Sequence, residues 1–295
     1  MTINNKEIKW FFLIDKPLNI TSFDVLRDLR KKIHIKKMWH TWTLDPLASG
    51  LLLVAVWDYT KLIPYFEKDT KEYEFIIALD WTTETLDLEK EVNFISDEKK
   101  QYFKENLKVE NISEILKNKF SWEIFQTPPK YSALKIWWQK ALDLVRAWVD
   151  FELKQRKVNI LNIEIISFNY PYLTLRAEVS AWTYIRSIAY DLWEILWTWG
   201  YITFLRRTKI GKLDMTFAQK LEDFKLENKL DDKILFWKEN FITLKDENLV
   251  KLDNWLKQKI DLDIPDRENY FIQKGDFITN IVSKNGLEFT PLKKI

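Results

Sequence analysis

The sequence predicts a mixed α/β fold in which strands and helices interleave, followed by a small β-rich tail. Three observations carry this. Trp10 to Asp15 (WFFLID), Leu51 to Val56 and Tyr73 to Leu79 are short apolar runs of buried-strand length. The stretch from Ile185 to Leu196 places apolar residues at 185, 188, 189, 192, 195 and 196, one face of a helix. From about residue 241 the pattern becomes short strand-like runs, as in NYFIQKGDFITNIV.

Taken in order, the first strand ends at Lys16-Pro17, and Thr21 or Ser22 caps the helix that follows. Val25, Leu26, Leu29 and Ile33 share one face of it. Arg27, Arg30, Lys31 and Lys32 fill the rest, with Lys36 and Lys37 beyond. A solvated face and an RNA contact are equally open readings of those charges. Residues 38–50 (MWHTWTLDPLASG) lack periodicity and read as a loop. Residues 97–119 are charged and helical, and 126–140 form a proline-started basic excursion. Residues 158–168 and 172–180 are β-rich, joined by Asn169-Tyr170-Pro171 as a hairpin. Residues 204–212 (FLRRTKIGK) read as a basic stretch. There is no internal repeat and no low-complexity linker.

Of 295 residues, 46% are hydrophobic, enough for a real core. No run of 18 apolar residues predicts a transmembrane helix, and MTINNKEIKW has no signal-peptide h-region, so a cytoplasmic protein is expected. The absence of cysteine excludes disulfides, thiolate metal sites and a cysteine nucleophile. With only His34 and His40, no metal site is expected. The 46 basic and 44 acidic residues leave a net charge of +2, weak for long-range attraction to nucleic acid. Local clusters exist at Arg27 to Lys37, Lys130 to Lys140, Lys154 to Lys157 and Arg206 to Lys212, and phosphate contacts need such patches rather than a high total. Their bland reading is solvated faces. One inversion stands out: 5 Gly against 15 Trp, where glycine is usually ~7% of a chain. Either the protein is aromatic-rich, or many tryptophans stand where turns need glycine.

The loop at 38–50 concentrates His40, Thr41, Thr43, Asp45 and Ser49 just before an apolar strand. A carboxylate there can act as nucleophile or base, although a lone Asp-Pro is more often a turn. Beside His40 and Asp45 there is no second carboxylate, second histidine or cysteine nearby to complete a hydrolytic pair or triad, and no GxxxxGKS loop serves a nucleotide.

HTWTLDPLASGLLLVAV resembles the signature loop of the bacterial tRNA pseudouridine synthase B (TruB) family, GHTGTLDPLASGLL. Leu13-Ile14-Asp15-Lys16-Pro17 resembles its strand ending in Lys-Pro, and Lys71-Glu72-Tyr73 its K-x-Y motif. Tyr131-Ser132-Ala133-Leu134-Lys135 resembles Y-S-A-L-K, Trp182-Thr183-Tyr184-Ile185-Arg186 resembles G-T-Y-I-R, and Leu205-Arg206-Arg207-Thr208 resembles L-R-R-T. The likeness covers roughly residues 10 to 225. The tail is only loosely similar to the family's small RNA-binding domain of the PUA type.

The resemblance implies a pseudouridine synthase fold, a mixed, mostly antiparallel sheet flanked by helices, with a catalytic domain over 1–240. It implies an RNA-clamping insertion at about 126–149 and a small RNA-binding-like domain over 241–295. The implied activity is an isomerase, tRNA pseudouridine(55) synthase, acting as a monomer on the tRNA T arm without metal or cofactor. Asp45 is the implied catalytic residue, as nucleophile at C1′ or as base on the ribose. Arg186 is its implied partner, since a guanidinium favours the ionised carboxylate. Tyr73 matches the active-site tyrosine, Tyr184 and Leu205 match pocket residues, and His40 matches a histidine contacting the displaced stack. Lys16 and Pro17 support the loop. A guide-RNA-dependent relative is a rival, opposed by the short tail and the clamp segment. A non-catalytic RNA-binding or tRNA-folding protein is another, opposed by intact Asp45, Tyr73 and Arg186.

Trp10, Trp39, Trp42, Trp57, Trp81, Trp122, Trp137, Trp138, Trp148, Trp182, Trp193, Trp197 and Trp199 stand where the family pattern has glycine. Trp237 and Trp255 have no glycine counterpart in the resemblance. Counting the thirteen as glycine brings that residue close to its ordinary share. The expectation is a source that decodes UGA as glycine, with tryptophan written in its place.

Overall fold

Phe11, Phe12, Leu13 and Ile14 are almost fully buried, because the strand that carries them has both faces covered. The computed structural model describes residues 9–66, 69–83, 93–132, 134–236, 240–275 and 277–295. Strand β1 (Lys9–Lys16) leads to helix α1 (Ser22–Ile33), whose Thr21 and Asp24 form a reciprocal capping box. Strands β2 (Met38–His40) and β3 (Ala48–Trp57) follow, then a 3-10 turn over Asp58–Phe66 and β4 (Lys71–Ala78). Two-residue strands β5 (Trp81–Thr82) and β6 (Asn93–Phe94) precede α2 (Asp97–Asn106), α3 (Val109–Lys119) and β7 (Trp122–Gln126). A small hairpin, β8 (Lys135–Ile136) and β9 (Gln139–Lys140), runs into α4 (Ala141–Arg146). Strands β10 (Arg156–Asn169) and β11 (Tyr172–Val179), helix α5 (Ile185–Leu196) and β12 (Tyr201–Ile210) complete the centre.

The main sheet has the order β14-β1-β3-β12-β4-β11-β10-β7, where β14 is Gln219–Lys220; β2 pairs β3, and β13 (Leu213–Asp214) pairs β12. Most pairs are antiparallel, while β3 and β12 run parallel. That parallel pair sets Ala48 beside Leu205 and Gly50 beside Arg207, and β4 on the other side sets Tyr73 beside Arg207. Three motifs far apart in sequence thus meet at one place.

The remaining elements are α6 (Asp232–Leu235), β15 (Phe241–Ile242), α7 (Asp246–Asp253), β16 (Gln258–Lys259), β17 (Arg267–Lys274), β18 (Phe277–Asn285) and β19 (Glu288–Lys294). They include a five-stranded sheet, β15-β17-β18-β19-β16. The two sheets share a core, in which Phe11, Tyr59 and Phe66 pack with Phe236, Phe271 and Ile278. The overall class, mixed α/β with a β-rich C-terminal sheet, is the expected one.

Some boundaries differ from the sequence reading. The 38–50 segment is not all loop: β2 occupies its start, and β3 begins at Ala48. The 97–119 stretch is two helices. No residue of α2 is buried, whereas α3 anchors Ile112 and Leu116 in the core. The basic stretch at 204–212 lies mostly in β12, a central strand.

Nine tryptophans have backbones in the left-handed region: Trp42, Trp57, Trp122, Trp137, Trp138, Trp148, Trp182, Trp197 and Trp255, with φ between 47° and 73°. Each costs an L-residue about 1–2 kcal/mol, and only glycine takes that conformation routinely. Trp137 and Trp138 are the two loop residues between β8 and β9, both at positive φ, as a primed two-residue hairpin turn demands. Trp148, Trp197 and Trp255 close α4, α5 and α7 in the same way. After α7, Leu256 N donates to Lys251 O at 3.0 Å and Trp255 N to Leu252 O at 2.9 Å. After α4, Val149 N and Trp148 N donate to Leu144 O and Val145 O, and after α5 Thr198 N and Trp197 N donate to Trp193 O and Glu194 O. These are Schellman closures, with the left-handed position filled by tryptophan rather than the usual glycine. Trp10, Trp39, Trp193 and Trp199 do not adopt positive φ. Trp237 lies outside the described residues.

Candidate active site

The loop between β2 and β3 carries no repeating backbone ladder, so its shape depends on outside groups. Ser22 Oγ accepts from Leu44 N at 2.9 Å and donates to Leu44 O at 3.1 Å. The Lys16 ammonium, with no exposed surface, donates to Pro17 O, Ile20 O and Pro46 O at 3.0, 2.6 and 3.3 Å. Asn19 N also donates to Pro46 O at 2.9 Å, and Ala48 N to Asp45 O at 3.0 Å. Arg207 donates to Trp42 O at 2.9 Å. Asp45 therefore projects from a loop fixed on both sides. Burial draws the Lys16 pKa down to about 8, with Asp45 opposing and Arg207 reinforcing the shift.

Arg186 sits in the first turn of α5, where Gln126 holds the chain: its Nε2 donates to Tyr184 O at 3.0 Å, and Tyr184 N donates to its Oε1 at 2.8 Å. Arg186 Nη2 lies 3.0 Å from Asp45 Oδ2 and donates to Tyr131 O at 2.9 Å. The contact joins a buried guanidinium to a part-exposed carboxylate.

Asp45, Tyr73, Tyr184, Arg186 and Leu205 line one cavity of about 230 Å³, with Trp42 and Trp182 at its wall. Tyr184 is flanked by the Arg156 guanidinium, 4.6 Å from its ring centre. Leu205 supplies an apolar surface, and Asp45 a carboxylate held beside a cation. This can grip a flat, polar-edged ring and present an anion to it. A larger groove, about 1300 Å³, runs between α3 and β10 but does not include the Asp45–Arg186 pair.

The five cavity residues are those the sequence points to. His40 is elsewhere: it lies on β2 opposite Val54, with its ring parallel to that of Trp39. Burial, helped by the Arg207 charge, lowers its pKa to about 4. Pro17 is exposed at the end of β1 and touches the site only through Lys16, which holds its carbonyl.

Residues 30–185 match the TruB family pseudouridylate synthase N-terminal domain. The chain belongs to the TruB family. It is 38% identical over 220 residues to tRNA pseudouridine synthase B of Clostridium tetani, covering 72% of this chain and 71% of that one. It is 36% identical over 300 residues to the protein of the same name from Mycoplasma mobile, covering 98% of both. Among solved structures, one described as an H/ACA RNP bound to a substrate RNA containing 2′-deoxyuridine superposes with a TM-score of 0.65. It is 19% identical and covers 97% of this chain and 84% of that one, a likeness of fold alone.

For this TruB-family chain, the sequence reading missed Arg207, Gln126, Ser22 and Lys71 as neighbours of the site. Lys71 lines the cavity, with its ammonium 3.9 Å from the Trp42 ring centre. The signal for Arg207 was present: it is two residues beyond Leu205, on the same face of a strand. Gln126 and Ser22 act through backbone contacts that no motif displays.

Proposed function

We propose that this TruB-family enzyme converts the T-loop uridine of tRNA, position 55 in standard tRNA numbering, to pseudouridine in the Asp45 cleft. Its membership of the family, together with relatives named tRNA pseudouridine synthase B, makes it a tRNA pseudouridine synthase, an isomerase. The observation that supports the Asp45 assignment most is its ion pair with Arg186 inside a cavity also lined by Tyr73.

In the reaction the N1–C1′ bond breaks, the uracil turns, and a C5–C1′ bond forms. One proton leaves C5 and one is taken up at N1, so the product is an isomer. Asp45 acts either on C1′ as nucleophile or on the ribose as base, and both roles need the carboxylate that Arg186 favours. The Tyr73 ring stacks on the turned uracil and its oxygen handles the proton at C5. Tyr184 and Leu205 hold the extruded nucleotide. Leaving the stack costs a few kcal/mol, and aromatic stacking of ~1–3 kcal/mol offsets it. His40 contacts the displaced stack, and Lys16 and Pro17 support the loop. The 126–149 excursion clamps the T arm, and residues 241–295 form a small RNA-binding domain behind a catalytic domain of 1–240. The protein works as a cytoplasmic monomer without metal or cofactor. No helix among the described residues is long and apolar enough to cross a membrane.

The natural chain carries glycine at the thirteen aligned tryptophan positions, and also at Trp255. The left-handed backbones support this for eight of the thirteen. Trp255 is a correction to the sequence reading, which gave it no glycine counterpart: its helix closure is of the kind that glycine fills.

The test is to incubate the glycine-bearing protein with a T-arm RNA and map pseudouridine by carbodiimide modification and primer extension. Modification at position 55 without any added guide RNA is expected. Modification elsewhere, or a requirement for a guide RNA, contradicts the proposal.

A further inference from the structure

Arg207 heads the largest fully buried side chains among the described residues, at 1% exposure. Among those residues no carboxylate pairs with it. Burying a guanidinium carries a desolvation penalty of several kcal/mol, which hydrogen bonds must offset. Its donors go to three places that define the site. Nε donates to Leu51 O at 2.7 Å, Nη2 to Trp42 O at 2.9 Å, and Nη1 reaches Tyr73 Oη at 3.5 Å. The first grips β3 at Leu51, just past the Asp45 loop, and the second holds the start of that loop at Trp42. The third points at the phenol on the facing strand.

The sheet is built to bring this about. Arg207 lies on β12 between Gly50 of β3 and Tyr73 of β4, each its register partner. Gly50 has φ +99°, and a Cβ there would fall 2.2 Å from Arg207 O. Only glycine lets β3 approach this closely. The Arg207 charge is also felt in the loop region, where it opposes protonation of His40 and Lys16.

We propose that Arg207 is a positioning residue for the isomerisation, its planar fork fixing the Asp45 loop and the Tyr73 hydroxyl relative to one another. It acts through those two groups rather than on the uridine. A misplacement of about 1 Å can cost about 100-fold in rate. Lysine keeps the charge but has no planar fork to span both carbonyls and the phenol.

The inference rests on the Asp45-centred reading. The experiment compares Arg207→Lys with the unaltered glycine-bearing chain, measuring T-arm RNA affinity and the single-turnover rate separately. Affinity within about threefold and a rate loss of about 100-fold are expected. In a Tyr73→Phe background the same change should cost clearly less, because one of its targets is gone. An unchanged rate overturns the proposal, and so does an identical loss in both backgrounds. If Asp45→Asn is inactive while Arg207→Lys is normal, only this inference fails; if Asp45→Asn stays active, the underlying reading fails. Should Arg207→Lys not fold, a structure of the unaltered glycine-bearing chain with 5-fluorouridine T-arm RNA decides. Nη1 within about 3.5 Å of Tyr73 Oη supports the role, and a greater separation overturns it.

Discussion

Arg186 Nη2 lies 3.0 Å from Asp45 Oδ2, yet the two side chains differ sharply in exposure, 5% against 37%. The guanidinium is anchored a second time on Tyr131 O and surrounded by protein. The carboxylate faces the cavity. A purely structural pair has no need of such asymmetry, whereas a reacting carboxylate needs one rigid partner and one open side.

Arg186→Lys should lower the single-turnover rate by roughly 10- to 100-fold and leave RNA affinity within a few-fold. The ammonium cannot serve Tyr131 O and Asp45 from one fixed plane. Quench-flow assays on T-arm RNA measure the rate, and full activity would argue against the positioned pair.

Two groups predict the pH response. His40 has a pKa of about 4 in the folded chain against 6.5 for an ordinary histidine. Between those values the unfolded state binds more protons at this site, so the His40 contribution to stability falls as pH drops from 6.5 towards 4, while Asp191, raised to about 6 by burial, contributes in the opposite sense. Lys16 is lowered from 10.5 to about 8 by burial. Here too the unfolded state binds more protons, so the cost of burying the charge is full below pH 8 and relieved as pH rises to 10.5. Its hydrogen bonds to the loop weaken over the same range, so the rate should fall above pH 8 while the fold does not. Chemical denaturation and single-turnover rates across pH 4–10 separate the two; replacing His40 with Gln should raise stability at pH 4 relative to that at pH 6.5.

The nine left-handed tryptophans predict a large stability difference. At about 1 kcal/mol each they store roughly 9 kcal/mol, the size of a whole domain's stability. Seven of them, Trp122, Trp137, Trp138, Trp148, Trp182, Trp197 and Trp255, are exposed and recover little by burial. Glycine's greater freedom in the unfolded chain offsets part of the gain. The chain as written should be poorly folded or inactive, and glycine at the thirteen aligned positions and at 255 should restore both solubility and pseudouridine formation. Restoring only Trp39 and Trp42 should help less, because Trp182 still stands at the cavity wall beside Arg186 and the other left-handed tryptophans remain. Equal activity of the all-tryptophan chain would remove the physical motive for glycine. Peptides from the native source bearing tryptophan at 39 and 42 would refute it directly.

Lys135 and Lys140 face one another across β8 and β9, and both are exposed, as is Lys130. If this hairpin clamps the T arm, changing all three to alanine should reduce the salt dependence of binding by up to about two to three units of slope. An unaltered slope would place the RNA elsewhere.

Much of the fold was legible where periodicity was clean. Helix α5 spans Ile185–Leu196, the same bounds as its apolar stripe, and the hairpin of β10 and β11 lies where its turn residues put it. Strand β12 was not legible, because Arg206, Arg207 and Lys209 make a central strand look like surface. Arg207 is tolerated inside only because backbone carbonyls from other segments converge on it, and periodicity does not encode that. The Asp45 loop stood out by composition, but its fixing by Ser22, Lys16 and Arg207 depends on tertiary contacts. Trp255 escaped notice because the tail resembles the family only loosely, while its helix closure is plain in the backbone.

The measurement that bears most directly on the account is Asp45→Asn in the glycine-bearing chain. The amide keeps the shape of the side chain and its reach to Arg186 but loses the negative charge and the nucleophile. Pseudouridine at position 55 and T-arm binding are measured on the same preparation. The account predicts that pseudouridine formation is abolished while binding is largely retained. Activity within tenfold of the unaltered protein would contradict it and remove Asp45 from the chemistry.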